Sequence, residues 1–147
     1  MNQSDFNNIL NSRFPLYTHF YTDAPVSKQP DSVGFGIHAP SLSLKISGKL
    51  PDHWSICTGE MYAIGRAIEE IIERRVKLLI IITNSLSAFN KLGNDCLDGD
   101  WDIVSINVKK SIYNAWCSGY KVVWLWIPTC IYTVTALQIS LLTEVDI

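Results

Sequence analysis

The chain has 147 residues, 48% of them hydrophobic and 18% charged, and a formal net charge of −2. This length and balance suit one domain with its own core and exclude a disordered or fibrous chain. The slight acidic surplus excludes a broadly basic nucleic-acid coat, so any such partner needs a local patch.

Residues 1–15 form a lead with no assigned element. They lack the basic-then-apolar pattern of a secretory signal, so an intracellular protein is expected. Leu16 to Thr22, "LYTHFYT", alternates and is rich in aromatics, as a strand does, and Asp23 closes it. "DAPVSKQPD" reads as a turn, Ser32 to Ala39 as a strand with Gly34 and Gly36 on one side, and Leu42 to Leu50 as a half-exposed antiparallel strand.

Thr58 to Arg75 is a helix by its apolar stripe of Ala63, Ile64, Ala67, Ile68, Ile71 and Ile72. "KLLIIIT", Lys77 to Thr83, has the continuous apolar pattern of a strand covered on both faces. A short helix follows over Ser85 to Leu92, then a loop over Asn94 to Asp100. A second long helix runs from Trp101 to Ser118, with Ile103, Ile106, Ile112, Tyr113 and Trp116 as its inward stripe, and Gly119 stops it. "YKVVWLW", Tyr120 to Trp126, is another buried strand, ended by Pro128, and Val134 to Leu142 is expected to be helical.

Val122 to Leu142 has no charged residue and reaches membrane-spanning length, but Pro128, the threonines, Gln138 and Ser140 interrupt it, so no membrane partner is expected. Cys57, Cys96, Cys117 and Cys130 make neither zinc spacing nor a disulfide framework and read as free buried thiols. The element order implies an α/β fold: a mixed five-stranded sheet, with a three-strand antiparallel meander plus two parallel strands, and helices on both faces. Residues 16–147 make the domain, with 129–147 a divergent C-terminal tail.

Three polar residues meet the sheet. Asp23 closes the first strand, Asn84 closes the buried one, and Glu60 lies on the apolar stripe of the first long helix. Parallel neighbours would bring both strand ends together, where open α/β sheets bind ligands. Convergent carboxylates there suit a cation of the magnesium type. Each residue also has an ordinary reading: Asp23 as a turn former and Asn84 as a helix N-cap. Glu60 is harder to dismiss, because an unpaired buried carboxylate is costly.

The ordered set "FYTDA", "GFGIHAP", "KLPDHWSICTGEMYAIGRAIEEI", "ITNSLSAFNKL" and "VVWLWIP" resembles ribonuclease H type 1 domains, most closely those of non-LTR retrotransposon polyproteins. The resemblance spans about Tyr17 to Pro128. It implies a ribonuclease H-like fold, RNA–DNA hybrid as partner, no small-molecule cofactor, and endonucleolytic cleavage of the RNA strand with Mg2+ or Mn2+ held by four carboxylates. Asp23 and Glu60 match the first two and are the implied metal ligands. Asn84 stands where the third belongs, and Ser140 at the usual spacing of the fourth, so both are degenerate. Cys130 replaces a histidine. The implied activity is weak or absent, and the alternative is a non-catalytic module for protein or nucleic-acid contacts. A working site rebuilt from Asp95, Asp98, Asp100 or Asp102 is a further possibility. Gly34, Gly36 and Ser85 are the implied nucleic-acid contacts, and the helix lysines Lys109 and Lys110 read as a solvated face. Lys45 and Lys49, on the exposed side of the third strand, add little basic content, which implies weak binding that fades with salt.

Overall fold

The computed structural model describes residues 2–28, 31–93 and 102–128. In chain order they form α1 (Gln3–Arg13), β1 (Thr18–Asp23), β2 (Val26–Lys28), β3 (Asp31–Ala39), β4 (Leu44–Lys49), α2 (Ile56–Arg74), β5 (Leu78–Thr83), α3 (Leu86–Gly93), α4 (Ile103–Cys117) and β6 (Lys121–Trp126). Ser140, Cys96, Cys130, the loop 94–100 and the tail 129–147 lie outside the described residues.

The stretch "DAPVSKQPD" is not simply a turn, because Val26–Lys28 is strand β2. It pairs with β3 in the register that β1 keeps with the same strand: Tyr21 faces His38, Asp23 faces Gly36, Val26 faces Val33. So β1 and β2 are one line of chain, interrupted at Ala24–Pro25. Pro25 has no N–H to add to the ladder, but its carbonyl still accepts from the Gly34 N–H at 2.8 Å. Six strands therefore fill five positions. β4 lies on the far side of β3. On the other flank β1 runs parallel to β5, and β5 parallel to β6. This is the mixed five-strand arrangement that the element order implies.

The sheet separates two apolar layers. One face of β1, β3 and β5 (Phe20, Ile37, Leu79, Ile81) packs under α2 through Ile64, Ala67, Ile68 and Ile71, with Val108 and Ile112 of α4. The opposite face, Tyr21, Ile80 and Ile82, lies under Phe6 and Leu10 of α1. Strand β5 shows no apolar–polar alternation for this reason: Leu79 to Ile82 are all fully buried, two toward each layer.

Helix α1 has no signal in the apolar pattern. Among its described side chains only Phe6 and Leu10, one turn apart, are buried, and its start is set by a capping box between Asn2 and Asp5. The stripe on α4 also differs from expectation. Ser105, Val108, Ile112 and Ala115 face inward, while Ile103, Tyr113 and Trp116 are exposed. Helix α4 lies close against α2: a Cβ on Gly65 of α2 would stand 2.8 Å from Val108 Cγ2. Trp116 instead stacks on Trp124 at 5.8 Å. Cys57 and Cys117 are free thiols, but Cys117 is exposed rather than buried. Among the described residues no helix is long and apolar enough to cross a membrane, and Val122–Trp126 belongs to a strand.

Candidate functional site

The parallel registers decide which ends meet. Thr22 pairs with Thr83 and Thr83 with Trp126, so Asp23, Asn84 and Ile127 leave the sheet at the same edge. The Trp126 indole N–H donates to the Asn84 carbonyl at 3.1 Å, and the Ile127 N–H to the Thr83 carbonyl at 3.0 Å, tying the two strand ends together.

Helix α2 delivers Glu60 to this edge. The Ser55 hydroxyl caps it by accepting from the Thr58 N–H at 3.1 Å. Gly59 then lets its first turn press onto the β1–β2 junction. A Cβ at Gly59 would lie 2.6 Å from Val33 Cγ1, 3.2 Å from Ala24 Cβ and 3.3 Å from Leu50 Cδ1. Gly59→Ala is expected to lower stability by about 1–2 kcal/mol in chemical denaturation, despite alanine's better helix propensity. A stabilised variant would show that the helix can back away from the sheet at no cost.

The close approach has an electrostatic result. The Ala24 N–H donates to Asp23 Oδ1 at 2.8 Å, and the Glu60 carboxyl is buried close enough to feel both that N–H and the charge of Asp23. Glu60 is 5% exposed, and its Oε2 has no hydrogen-bond partner among the described residues. Burial first, and the negative charge of Asp23 second, push its pKa up to about 7, against the pull of the Ala24 N–H.

Asn84 is half-buried beside these two. It is not the N-cap of the following helix. Helix α3 begins one residue later than expected, at Leu86, and the Ser85 hydroxyl caps it by accepting from the Ala88 N–H at 3.2 Å. The Ser85 N–H donates to Thr83 Oγ1 at 3.0 Å. Ser85 thus has a structural role at the position proposed for nucleic acid. Gly34 has one also, since a Cβ there would meet the Gly48 carbonyl oxygen at 2.9 Å. Gly36, directly opposite Asp23, is different: a Cβ there would meet nothing within 4 Å.

Asp102 does not supplement the site. It caps α4, accepting from the Ser105 N–H at 2.7 Å and the Thr58 hydroxyl at 3.1 Å, with Lys91 Nζ at 3.6 Å. Burial pushes its pKa up, but the bonds to Ser105 and Thr58 and the charge of Lys91 together bring it below the usual value. Residues 95, 98 and 100 lie outside the described residues. Among the described residues, no three His, Cys, Asp or Glu side chains gather as a metal would need.

No family model matches the sequence, and no curated protein does. Solved structures do. The RNase H1 of the halophilic archaeon Halobacterium salinarum NRC-1 superposes with a TM-score of 0.57 at 12% identity, over 80% of this chain and 89% of its own. LC11-RNase H1, isolated from compost by a metagenomic approach, gives a TM-score of 0.61 at 14% identity, over 84% of this chain and 91% of its own.

The chain has the ribonuclease H fold.

At such low identities the likeness lies in the backbone path and not in shared side chains. Within this ribonuclease H fold, the edge where β1 and β5 end carries two carboxylates and one amide. Magnesium is commonly held by one or two carboxylates, with waters and substrate phosphate completing its octahedron. The partnerless Glu60 oxygen beside Asp23 suits one hard divalent cation. Two such ions would need more anionic charge than these three side chains supply.

Proposed function

We propose that this chain is a ribonuclease H-type domain that binds RNA–DNA hybrid and cleaves the RNA strand weakly or not at all. The observation carrying this reading is the buried, partnerless Glu60 oxygen beside Asp23 at the strand-end edge, with Asn84 as the uncharged third corner.

When bound, Mg2+ or Mn2+ would supply charge against a phosphate and acidify a water. The protein's part is to hold oxygens for it. Asp23 is oriented by the Ala24 N–H, and Glu60 is held in a buried position where it carries a proton near neutral pH. Glu60 would have to release that proton to serve as an anionic ligand. Asn84 can add a carbonyl oxygen but no charge, so it would hold a cation more weakly than a carboxylate does. Loss of one such group in a cooperating set commonly lowers rate a hundredfold or more. The backbone does not depend on it, which accounts for a fold kept without a full site.

A labelled RNA–DNA hybrid incubated with the purified chain and Mg2+ or Mn2+ tests the reading. The expected outcome is salt-sensitive binding with little or no cleavage. Efficient cleavage that vanishes in Asp23→Asn would overturn the claim of weak activity. Neither binding nor cleavage would favour a non-catalytic module for protein contacts.

A further inference from the structure

We infer that the outer strand β4 carries a phosphate track for a nucleic-acid backbone, made by Lys45, Ser47 and Lys49 on the sheet face that also bears Asp23. The inference rests on the proposed nucleic-acid function and adds where the duplex backbone runs.

Register establishes the shared face. Directly opposed residues of antiparallel strands point to the same side. Asp23 opposes Gly36, and Gly36 opposes Ser47. A straight row therefore crosses the sheet from the carboxylate, over Gly36, to Ser47. Lys45 opposes His38 and Lys49 opposes Gly34, so the lysines flank this row by two residues on either side. The alternate residues Phe35, Ile37 and Ile46 point the other way, toward α2.

Among the described residues the row is uncovered: Lys45, Ser47 and Lys49 are exposed, and no described atom lies within 4 Å of a Cβ built on Gly36. On this face the buried cluster sealed by α1 contains residues of β1 and β5 but none of β3 or β4. Lys49 has an acidic neighbour in Asp52 at 3.9 Å, and both are more than 60% exposed, so that pair is weak.

Charge and spacing both favour a polyanion. Two ammonium groups and a hydroxyl stand at alternate residues, about 7 Å from one to the next, since an antiparallel strand rises about 3.4 Å per residue. Evenly spaced cations and a donor suit the evenly repeated charge of a nucleic-acid backbone. Two strand spacings, roughly 10 Å, separate this row from Asp23. The occupant is a nucleic acid rather than an acidic peptide because the row shares its face with Asp23, the edge assigned to nucleic acid above.

The test is binding of a labelled RNA–DNA hybrid from 50 to 200 mM salt. The Lys45→Gln/Lys49→Gln double variant is compared with the unaltered chain and with Lys110→Gln, an exposed lysine on α4. Each lost phosphate contact lowers the slope of log affinity against log salt by about 0.7–0.9. The double variant should therefore lose about 1.4–1.8 of slope, and Lys110→Gln none. An unchanged slope in the double variant while the hybrid still binds overturns the track. So does an equal loss in Lys110→Gln, which would show only diffuse charge. Failure of the unaltered chain to bind the hybrid sinks the functional reading itself, and the track with it.

Discussion

Glu60→Gln should make the protein more stable at pH 8, by up to about 3 kcal/mol, and leave it almost unchanged at pH 4.5. In the folded chain the Glu60 pKa is raised to about 7, from an ordinary value of 4.5, by burial and by Asp23. A carboxyl with a raised folded pKa holds its proton in the native state after the unfolded chain has lost it. Stability from this group is therefore full below about pH 4.5, declines as pH rises, and is gone above about pH 7. Above that window the native state carries a buried charge beside another charge, which costs about 1.4 kcal/mol for each tenfold displacement of the proton equilibrium. Glutamine has the same shape and no charge. The half-buried histidines His19 and His38, both lowered by burial, titrate nearby, and His38 is lowered further by Lys45, so the difference between variants is the informative quantity. Urea titrations of both proteins at several pH values provide it. A difference that is flat from pH 4.5 to 8 would show that Glu60 reaches water. Millimolar MgCl2 at pH 8 should recover stability in the unaltered chain and not in the variant, by mass action on the native state.

Asn84→Asp should raise magnesium affinity by roughly ten- to a hundredfold, equivalent to about 1.4–2.8 kcal/mol. The register places residue 84 at the strand end next to Asp23. A third carboxylate there adds a full charge at a site already half-desolvated, where Coulomb terms of a few kcal/mol per pair are expected. Without metal the same charge repels Asp23 and Glu60. The variant should thus be less stable than the unaltered chain in EDTA and gain more from magnesium. The cap of α3 is unaffected, because Ser85 supplies it. Magnesium titrations followed by calorimetry, with and without the added Ser140→Asp, measure the effect. An unchanged affinity in Asn84→Asp would falsify the placement of residue 84 in the metal site.

Much of the architecture is legible in the residues. "KLLIIIT" reads as a doubly covered strand, and β5 is buried on both faces because helices pack on each side. The α2 stripe is readable because its apolar residues repeat at helical spacing, and Glu60 stands out as a carboxylate on it. Helix α1 is not legible, since its buried Phe6 and Leu10 make no stripe and a capping box is the only other mark. The inward face of α4 escapes the apolar pattern for a related reason. Ser105 and Ala115 are buried there with Val108 and Ile112, and neither a serine nor an alanine marks an apolar stripe by itself.

Residue type and period are local properties. They suffice for the class of fold and for the strand ends at Asp23 and Asn84. Which glycine is open, which serine caps a helix, and that Glu60 is buried against the charge of Asp23 are visible only in three dimensions. The same holds for the row formed by Asp23, Gly36 and Ser47. Register and helix approach set those relations, and both arise from packing between elements far apart in the chain.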